Sequence, residues 1–168
     1  RRVMYHSLRP FEKASDLSRM PALEGLLPSS NPISIPVAPI EVPLLMERFP
    51  IAWRRDAGSW DLVAITGLTP GQESWRPALG DSGGRVIPLL LRAYPLAIAD
   101  SGDVETLPVL VDEAGLLPAG AGGSGFDADA AEADLDYRLH ALRTFGNSRK
   151  SVQAVYAEIE AACGFTPW

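Results

Sequence analysis

The sequence predicts an α+β fold: a mostly antiparallel sheet from two related helix-hairpin units, with a Pro-rich N-terminal arm and a C-terminal helix pair. Three observations predict it. A ten-residue segment occurs twice, each copy is followed by apolar runs interrupted by Asp/Gly/Ser turns, and a helical apolar period begins only near the C-terminus. We expect a single domain with an arm over 1–42, a duplicated core over 43–118, a Gly-rich linker over 119–126 and a helical pair over 127–168.

The arm is defined by its prolines, which exclude long helices and central strands from this part of the chain. Residues 31–37 alternate proline with β-branched residues and are therefore predicted to be extended. Three possibilities remain open for this segment. It adds to an edge of the chain's own sheet, it lies along a partner, or it is disordered.

The repeated segment is residues 43–52 (PLLMERFPIA), which recurs as residues 88–97 (PLLLRAYPLA). Recurrence at this spacing indicates a repeated structural unit. The first proline of each copy suits the first turn of a helix. The second proline disfavours the α conformation for Phe49 or Tyr94 before it. Each copy therefore predicts a short helix that ends at the aromatic residue, followed by a strand.

Each copy leads into a predicted hairpin, with turns over 56–59 and 100–103. In the first hairpin, Trp53 and Trp60 are placed to form a cross-strand aromatic pair. Trp75 follows in a polar stretch where little else could cover it. It either caps an edge of the core or marks a contact surface, where tryptophan is enriched.

The C-terminal region has the period of an amphipathic helix. Apolar residues at 131, 135, 139, 142 and 145 lie on one stripe, and Gly146-Asn147 predicts that this helix ends there. Ser148 is then the predicted cap of a second helix, which buries one face up to Cys163. Two antiparallel helices joined by a tight turn are the simplest interpretation.

Composition excludes several classes of protein. The net charge is −6, and the basic residues are scattered, which argues against a nucleic-acid partner. No apolar run is long enough for a transmembrane helix. The single cysteine, Cys163, excludes an intramolecular disulfide and suits a reducing compartment. We expect a cytoplasmic protein, or a periplasmic one if a signal peptide has been removed.

No catalytic site, metal site or cofactor is predicted. Residues 80–84 (GDSGG) match the nucleophile loop of chymotrypsin-like proteases, but the only histidine before Ser82 is His6, too close to it in sequence and without the usual flanking residues. His140 is interpreted as an ordinary helix histidine. Two histidines and one cysteine, scattered over the chain, do not make a typical zinc site.

Several short motifs resemble the bacterial SapC family. They are Ile35-Pro36-Val37, Glu41, Arg48-Phe49-Pro50-Ile51, residues 63–68 (VAITGL), the stretch from Val86-Ile87-Pro88 to Tyr94-Pro95-Leu96, and the closing Pro167-Trp168. The similarity covers roughly residues 5–168, and residues 74–84 depart from the usual pattern. The resemblance implies an association with bacterial surface layers or with TonB-dependent uptake. It implies no catalytic residues.

The leading hypothesis is a non-catalytic accessory protein that recognises a protein or peptide. We expect its contact region to consist of three tryptophans and the charged loop that follows them: Trp53, Trp60, Trp75, Arg76, Asp81 and Arg85. The alternative is an enzyme or enzyme subunit acting on a peptide or amino-acid derivative, for example a partner of a halogenase-like or cupin-like protein. It would use carboxylates such as Asp81, Asp100 or Asp103 near Arg85 or Arg92. A third hypothesis is a subunit that is stable only in a homo- or hetero-oligomer.

Overall fold

A computed structural model describes residues 4–21, 32–56, 59–67, 86–99, 108–120 and 126–163. The strands are β1 Leu8–Pro10, β2 Ser34–Pro36, β3 Ile51–Asp56, β4 Ser59–Ile65, β5 Leu96–Ile98 and β6 Val109–Asp112. The α-helices are α1 Lys13–Asp16, α2 Val42–Leu45, α3 Leu89–Ala93 and α4 Ala128–Cys163. Short 3₁₀ turns cover Leu17–Arg19, Pro39–Glu41 and Glu113–Gly115. The mixture of helices and antiparallel strands confirms the α+β class.

The described strands form two antiparallel sheets, in the orders β1-β6-β5 and β2-β4-β3. In each sheet a hairpin supplies two neighbouring strands and the N-terminal arm supplies the third. β2 lies in the segment that was expected to be extended, and it pairs with β4. The arm segment is thus part of the chain's own sheet.

The two copies of the repeated segment make the same local hydrogen bonds. In each, the aromatic residue donates its backbone N–H to the carbonyl four residues earlier, and the carbonyl of the following proline accepts from the second strand of the hairpin. The bonds are Phe49 N–Leu45 O (2.9 Å), Tyr94 N–Leu90 O (3.0 Å), Ile65 N–Pro50 O (2.9 Å) and Asp112 N–Pro95 O (2.9 Å). The duplication in the sequence therefore corresponds to a duplicated set of backbone hydrogen bonds. The two copies differ at the peptide bond before the second proline, which is cis between Tyr94 and Pro95 but not between Phe49 and Pro50.

The arm strands extend this equivalence. Pro10 lies opposite Leu110 in one sheet, as Pro36 lies opposite Val63 in the other. The next arm residue then donates to the second hairpin strand in both sheets: Phe11 N–Val109 O (3.0 Å) and Val37 N–Leu62 O (3.0 Å). Each repeat is thus an arm strand, a short helix and a hairpin.

The two repeats are nested in the sequence. We call residues 32–56 and 59–67 the inner unit, and residues 4–21, 86–99 and 108–117 the outer unit. The first strand of the chain completes the sheet formed by the last hairpin, and the whole inner unit lies between them in the sequence. Sequence comparison detected only the helix and hairpin parts of this repeat.

The C-terminal region corrects one predicted boundary. A single helix, α4, runs from Ala128 to Cys163 without the predicted turn at Gly146-Asn147. A glycine inside a helix costs about 1 kcal/mol relative to alanine, which tertiary contacts can offset. Phe145 is buried before the glycine, and Ser148 just after it accepts a hydrogen bond from Ile40 N at 3.2 Å. Contacts on both sides thus keep this part of the chain helical.

The two units and the first half of α4 share one hydrophobic core. The inner unit contributes residues such as Ile35 and Leu45, and the outer unit contributes Leu96 and Val111. α4 covers them with Leu135, Ala141, Leu142 and Phe145. Beyond Gly146, none of the described side chains of α4 is buried. Across the described residues, no helix has the length and apolarity needed to span a membrane.

Candidate functional site

Trp53 and Trp60, two of the predicted contact residues, lie on the β3–β4 hairpin of the inner unit. The register pairs Trp53 with Leu62 and Arg55 with Trp60, so the two tryptophans are diagonal neighbours rather than a directly opposed pair. Because side chains alternate between faces along a strand, both belong to the same face of the hairpin. The predicted pair is therefore not directly opposed across the hairpin, although both tryptophans lie on the same face of it.

Each tryptophan has a partner within the chain. Trp53 meets Tyr156 of α4 edge to face, with ring centroids 4.5 Å apart and an interplanar angle of 89°. The guanidinium carbon of Arg55 lies 5.9 Å from the Trp60 ring centroid, within the range of a cation–π interaction. Both indoles are partly buried.

Charged pairs flank the aromatic contact. Arg149 of α4 binds Asp61 through Nε (3.0 Å) and Nη2 (2.8 Å), and both side chains are largely buried. Arg55 lies 3.4 Å from Glu160 at the more exposed side. We call the set Trp53, Trp60, Arg55, Asp61, Arg149, Tyr156 and Glu160 the hairpin–helix site.

Tyr156 brings a buried polar group into the hairpin–helix site. Its hydroxyl is buried and has no hydrogen-bond partner among the described residues. Burial raises the pKa of Tyr156, as does the nearby Asp61, while Arg149 acts in the opposite direction. Sequence reasoning assigned Tyr156 to a helix stripe and overlooked Arg149 and Glu160. The signal was available, because residues 149, 156 and 160 fall on one helical face.

The other predicted site residues lie outside the described part of the chain. They are Trp75, Arg76, Asp81 and Arg85, together with Ser82 and the carboxylates Asp100 and Asp103 of the enzyme hypothesis. Arg92 is described, and its Nε donates to Ile87 O at 2.8 Å. His6 and His140 are both exposed.

Glu41 is a buried carboxylate in the inner unit, and it joins the two repeats. One oxygen accepts from Ala38 N at 2.7 Å, and the other accepts from Leu89 N at 2.6 Å at the start of α3. Burial raises the pKa of Glu41, although these two N–H groups and Arg92 oppose the shift. Both oxygens cap backbone groups, so the carboxylate has a structural use.

The outer unit contains an ionic cluster. Arg9 makes a two-pronged contact with Asp16 (2.6 and 2.8 Å) and donates through Nε to Glu113 at 2.7 Å. Arg19 binds the other oxygen of Glu113 at 2.5 Å. Hydrogen bonds from Arg9 lower the pKa of Asp16, and those from Arg19 and Arg9 lower that of Glu113. The cluster fastens β1 and the following turn to the end of β6.

Asp112 and Arg138 are two further fully buried polar groups. Asp112 accepts from His6 N, Ser7 N and Ala114 N, and lies 3.4 Å from the hydroxyl of Tyr94. Arg138 donates to the backbone oxygens of Tyr94 and Pro21, and its Nε has no partner among the described residues. Burial lowers the pKa of Arg138 to about 10.

The described residues therefore offer aromatic and charged recognition chemistry at the hairpin–helix site and structural carboxylates elsewhere. Within the described ranges, no group of three or more His, Cys, Asp or Glu side chains could hold a metal ion. Aromatic residues and arginine are enriched at protein-binding surfaces.

Comparison with known proteins gives one match. No curated protein and no solved structure matches the chain. The SapC family model matches residues 25–168, which include the inner unit, the second part of the outer unit and α4. This match covers well over half of the chain and includes all of the motifs on which the resemblance was based. The chain therefore belongs to the SapC family.

Proposed function

We propose that this protein is a non-catalytic accessory protein of a bacterial surface-layer or TonB-dependent uptake pathway, and that it recognises a protein or peptide. The observation that carries the proposal is the hairpin–helix site, where Trp53, Trp60 and Arg55 gather on one hairpin. Tryptophan and arginine are the residues most enriched among those that dominate binding energy at protein interfaces.

The buried carboxylates support the same interpretation. Asp16, Glu41 and Asp112 each accept hydrogen bonds from backbone N–H groups. A general acid or base needs to reach a substrate, whereas these groups close turns and helix ends. Trp75, Arg76, Asp81 and Arg85 complete the proposed contact region, since they follow the hairpin directly in the sequence.

The test is co-purification of the tagged full-length chain from its native host, followed by identification of the captured proteins. We expect the wild-type chain to capture a surface-layer or uptake component, and the Trp75→Ala and Trp60→Ala variants to lose most of it. A Tyr137→Ala variant, which changes an aromatic residue exposed elsewhere on α4, serves as the matched control. Equal capture by all four chains would refute the proposed contact region. Turnover of a peptide or amino-acid derivative by the wild-type chain would favour the enzyme hypothesis.

A further inference from the structure

The long helix α4 changes character at Gly146. Before this residue it supplies core side chains, but residues 147–163, which we call the tail segment, contain no buried side chain among those described. Its contacts with the inner unit include the hydrogen bond from Ile40 N to Ser148, the Arg149–Asp61 pair, the Trp53–Tyr156 contact and the Arg55–Glu160 pair. Half-buried and exposed side chains thus join the tail segment to the inner unit.

Three of these contacts lie on one stripe of the helix. Arg149, Tyr156 and Glu160 occupy positions i, i+7 and i+11, which are two and three helical turns apart. The hairpin presents a matching series of an acid, an aromatic ring and a base, namely Asp61, Trp53 and Arg55. The hairpin therefore recognises a pattern on a helix, by charge complementarity at both ends and an aromatic contact between them.

The docked tail segment also contains unfavourable features. Gly146 and Asn147 are poor helix formers at the junction. Val155 remains 47% exposed, and the buried hydroxyl of Tyr156 has no hydrogen-bond partner within the described ranges. A buried hydroxyl without a hydrogen bond is destabilising, and release of the segment would return it to water. Segments with few buried apolar contacts are the ones that open locally at least cost.

We propose that the hairpin side chains of Asp61, Trp53 and Arg55 together form a docking site for a helix of a partner protein that carries an arginine, an aromatic residue and an acidic residue at i, i+7 and i+11. In the unbound chain the tail segment occupies this surface and is displaced when the partner binds. The inference rests on the proposed function, and it specifies the chemistry of the partner.

The probe is a fluorescein-labelled peptide with the sequence of residues 147–163, in which serine replaces Cys163. Its binding to the full-length chain is measured by fluorescence polarisation. The attached tail competes at an effective concentration of the order of millimolar, so the wild-type chain should bind the peptide weakly. The Tyr156→Ala chain weakens its own tail without altering the hairpin, and we expect it to bind the peptide at least about tenfold more tightly than the wild type.

Two controls identify the surface. Adding Trp53→Ala to the Tyr156→Ala chain should abolish the gain, whereas a Val155→Ala chain, altered at the adjacent exposed position, should bind like the wild type. Far-ultraviolet circular dichroism checks that each variant remains folded. If Trp53→Ala unfolds the chain, Asp61→Asn in the same background replaces it, with the same expected loss.

Three results would overturn the inference. They are no gain for the Tyr156→Ala chain at millimolar peptide, an equal gain when Trp53 or Asp61 is also changed, and a wild-type dimer formed by exchange of the tail segment. The last would mean that a second copy already fills the surface. The peptide assay needs no cellular partner, so its failure would leave the co-purification result intact, and the reverse also holds.

Discussion

The inner and outer units share a capped helical turn, but the pKa of the capping carboxylate is shifted in opposite directions in the two units. In each unit an arm strand is followed by a short helical turn whose first N–H is capped by a buried carboxylate: Asp16 accepts from Glu12 N at 2.8 Å, and Glu41 accepts from Ala38 N at 2.7 Å. The pKa of Asp16 is lowered, whereas the pKa of Glu41 is raised.

One side chain explains most of this difference. Arg9 of β1 lies opposite Val111 and forms the two-pronged contact with Asp16, while the equivalent residue of β2 is Ile35, opposite Ala64. Glu41 accepts its hydrogen bonds from the backbone N–H groups of Ala38 and Leu89, and these do not offset the effect of burial on its pKa. The residue at this position of the arm strand thus decides the direction in which the pKa of the capping carboxylate shifts.

The largest expected effect comes from making the outer unit like the inner one. Arg9→Ile should lower the free energy of unfolding by roughly 2–4 kcal/mol. The fully buried Asp16 would lose the cation that hydrogen-bonds to it and would keep only Arg19 at 4.0 Å. The range lies slightly below that of a fully buried pair because Arg9 is partly exposed. Urea unfolding at neutral pH measures the change.

The control for Arg9→Ile is Lys13→Ala, which removes an exposed pair with Glu132 (3.0 Å) in the same region. Such surface pairs contribute little, so its urea midpoint should stay near that of the wild type. Equal destabilisation by the two substitutions would show that the ionic cluster of the outer unit has no special role.

A substitution at Gly115 tests how tightly the residues of the outer unit are packed. A Cβ atom added at Gly115 would lie 2.6 Å from Pro95 Cβ and 2.8 Å from the Tyr94 ring. Gly115→Ala should therefore destabilise the chain by about 1–3 kcal/mol through overpacking. Thermal unfolding measures the loss. Ala114→Ser adds one atom at the preceding, exposed position and should change little; a neutral Gly115→Ala would contradict the close packing.

The opposite pKa shifts give a direct titration test. ¹³C NMR of the carboxyl groups should place Asp16 below its ordinary pKa of 3.8 and Glu41 above its ordinary 4.5. Asp16 therefore stabilises the fold above pH 3.8, and this contribution is lost as the pH falls through its folded-state pKa. Protonated Glu41 stabilises the fold below pH 4.5, and this contribution is lost as the pH rises through its folded-state pKa. Shifts of the same sign for both groups would break the comparison.

The smallest expected effect is that of Tyr94→Phe, which gives the outer unit the aromatic residue that Phe49 provides in the inner unit. At pH 8 the loss should be below about 1 kcal/mol, since the bond to Asp112 is long at 3.4 Å. Burial and Asp112 raise the pKa of Tyr94 to about 12, so the wild type should lose stability as the pH rises from 10 to 12. Denaturant midpoints at pH 8 and pH 11 measure this effect, and the midpoint should fall less between the two pH values in the variant than in the wild type. An equal fall in both proteins would show that Tyr94 does not cause the loss of stability at high pH.

Much of the local structure could be predicted from the sequence. Pro43 and Pro50 predicted the region of α2 and the end of the first repeated segment, as Pro88 and Pro95 did for the second, because proline restricts φ and the residue before it. Trp53 and Trp60 were correctly placed on a hairpin, but not in their exact register. The turn predicted at Gly146-Asn147 was wrong, since contacts of Phe145 and Ser148 outweigh the local preference.

The sequence alone determined the repeat, the first hairpin and the apolar stripe of α4, because these follow from steric limits and periodicity within short segments. Only the tertiary structure decided that β1 completes the last hairpin's sheet, that Arg9 reaches Asp16 and Glu113, and that Tyr156 meets Trp53. These contacts join residues far apart in the chain or on different elements. Local propensities cannot specify them, because their energies exist only once the packed core has brought the elements together.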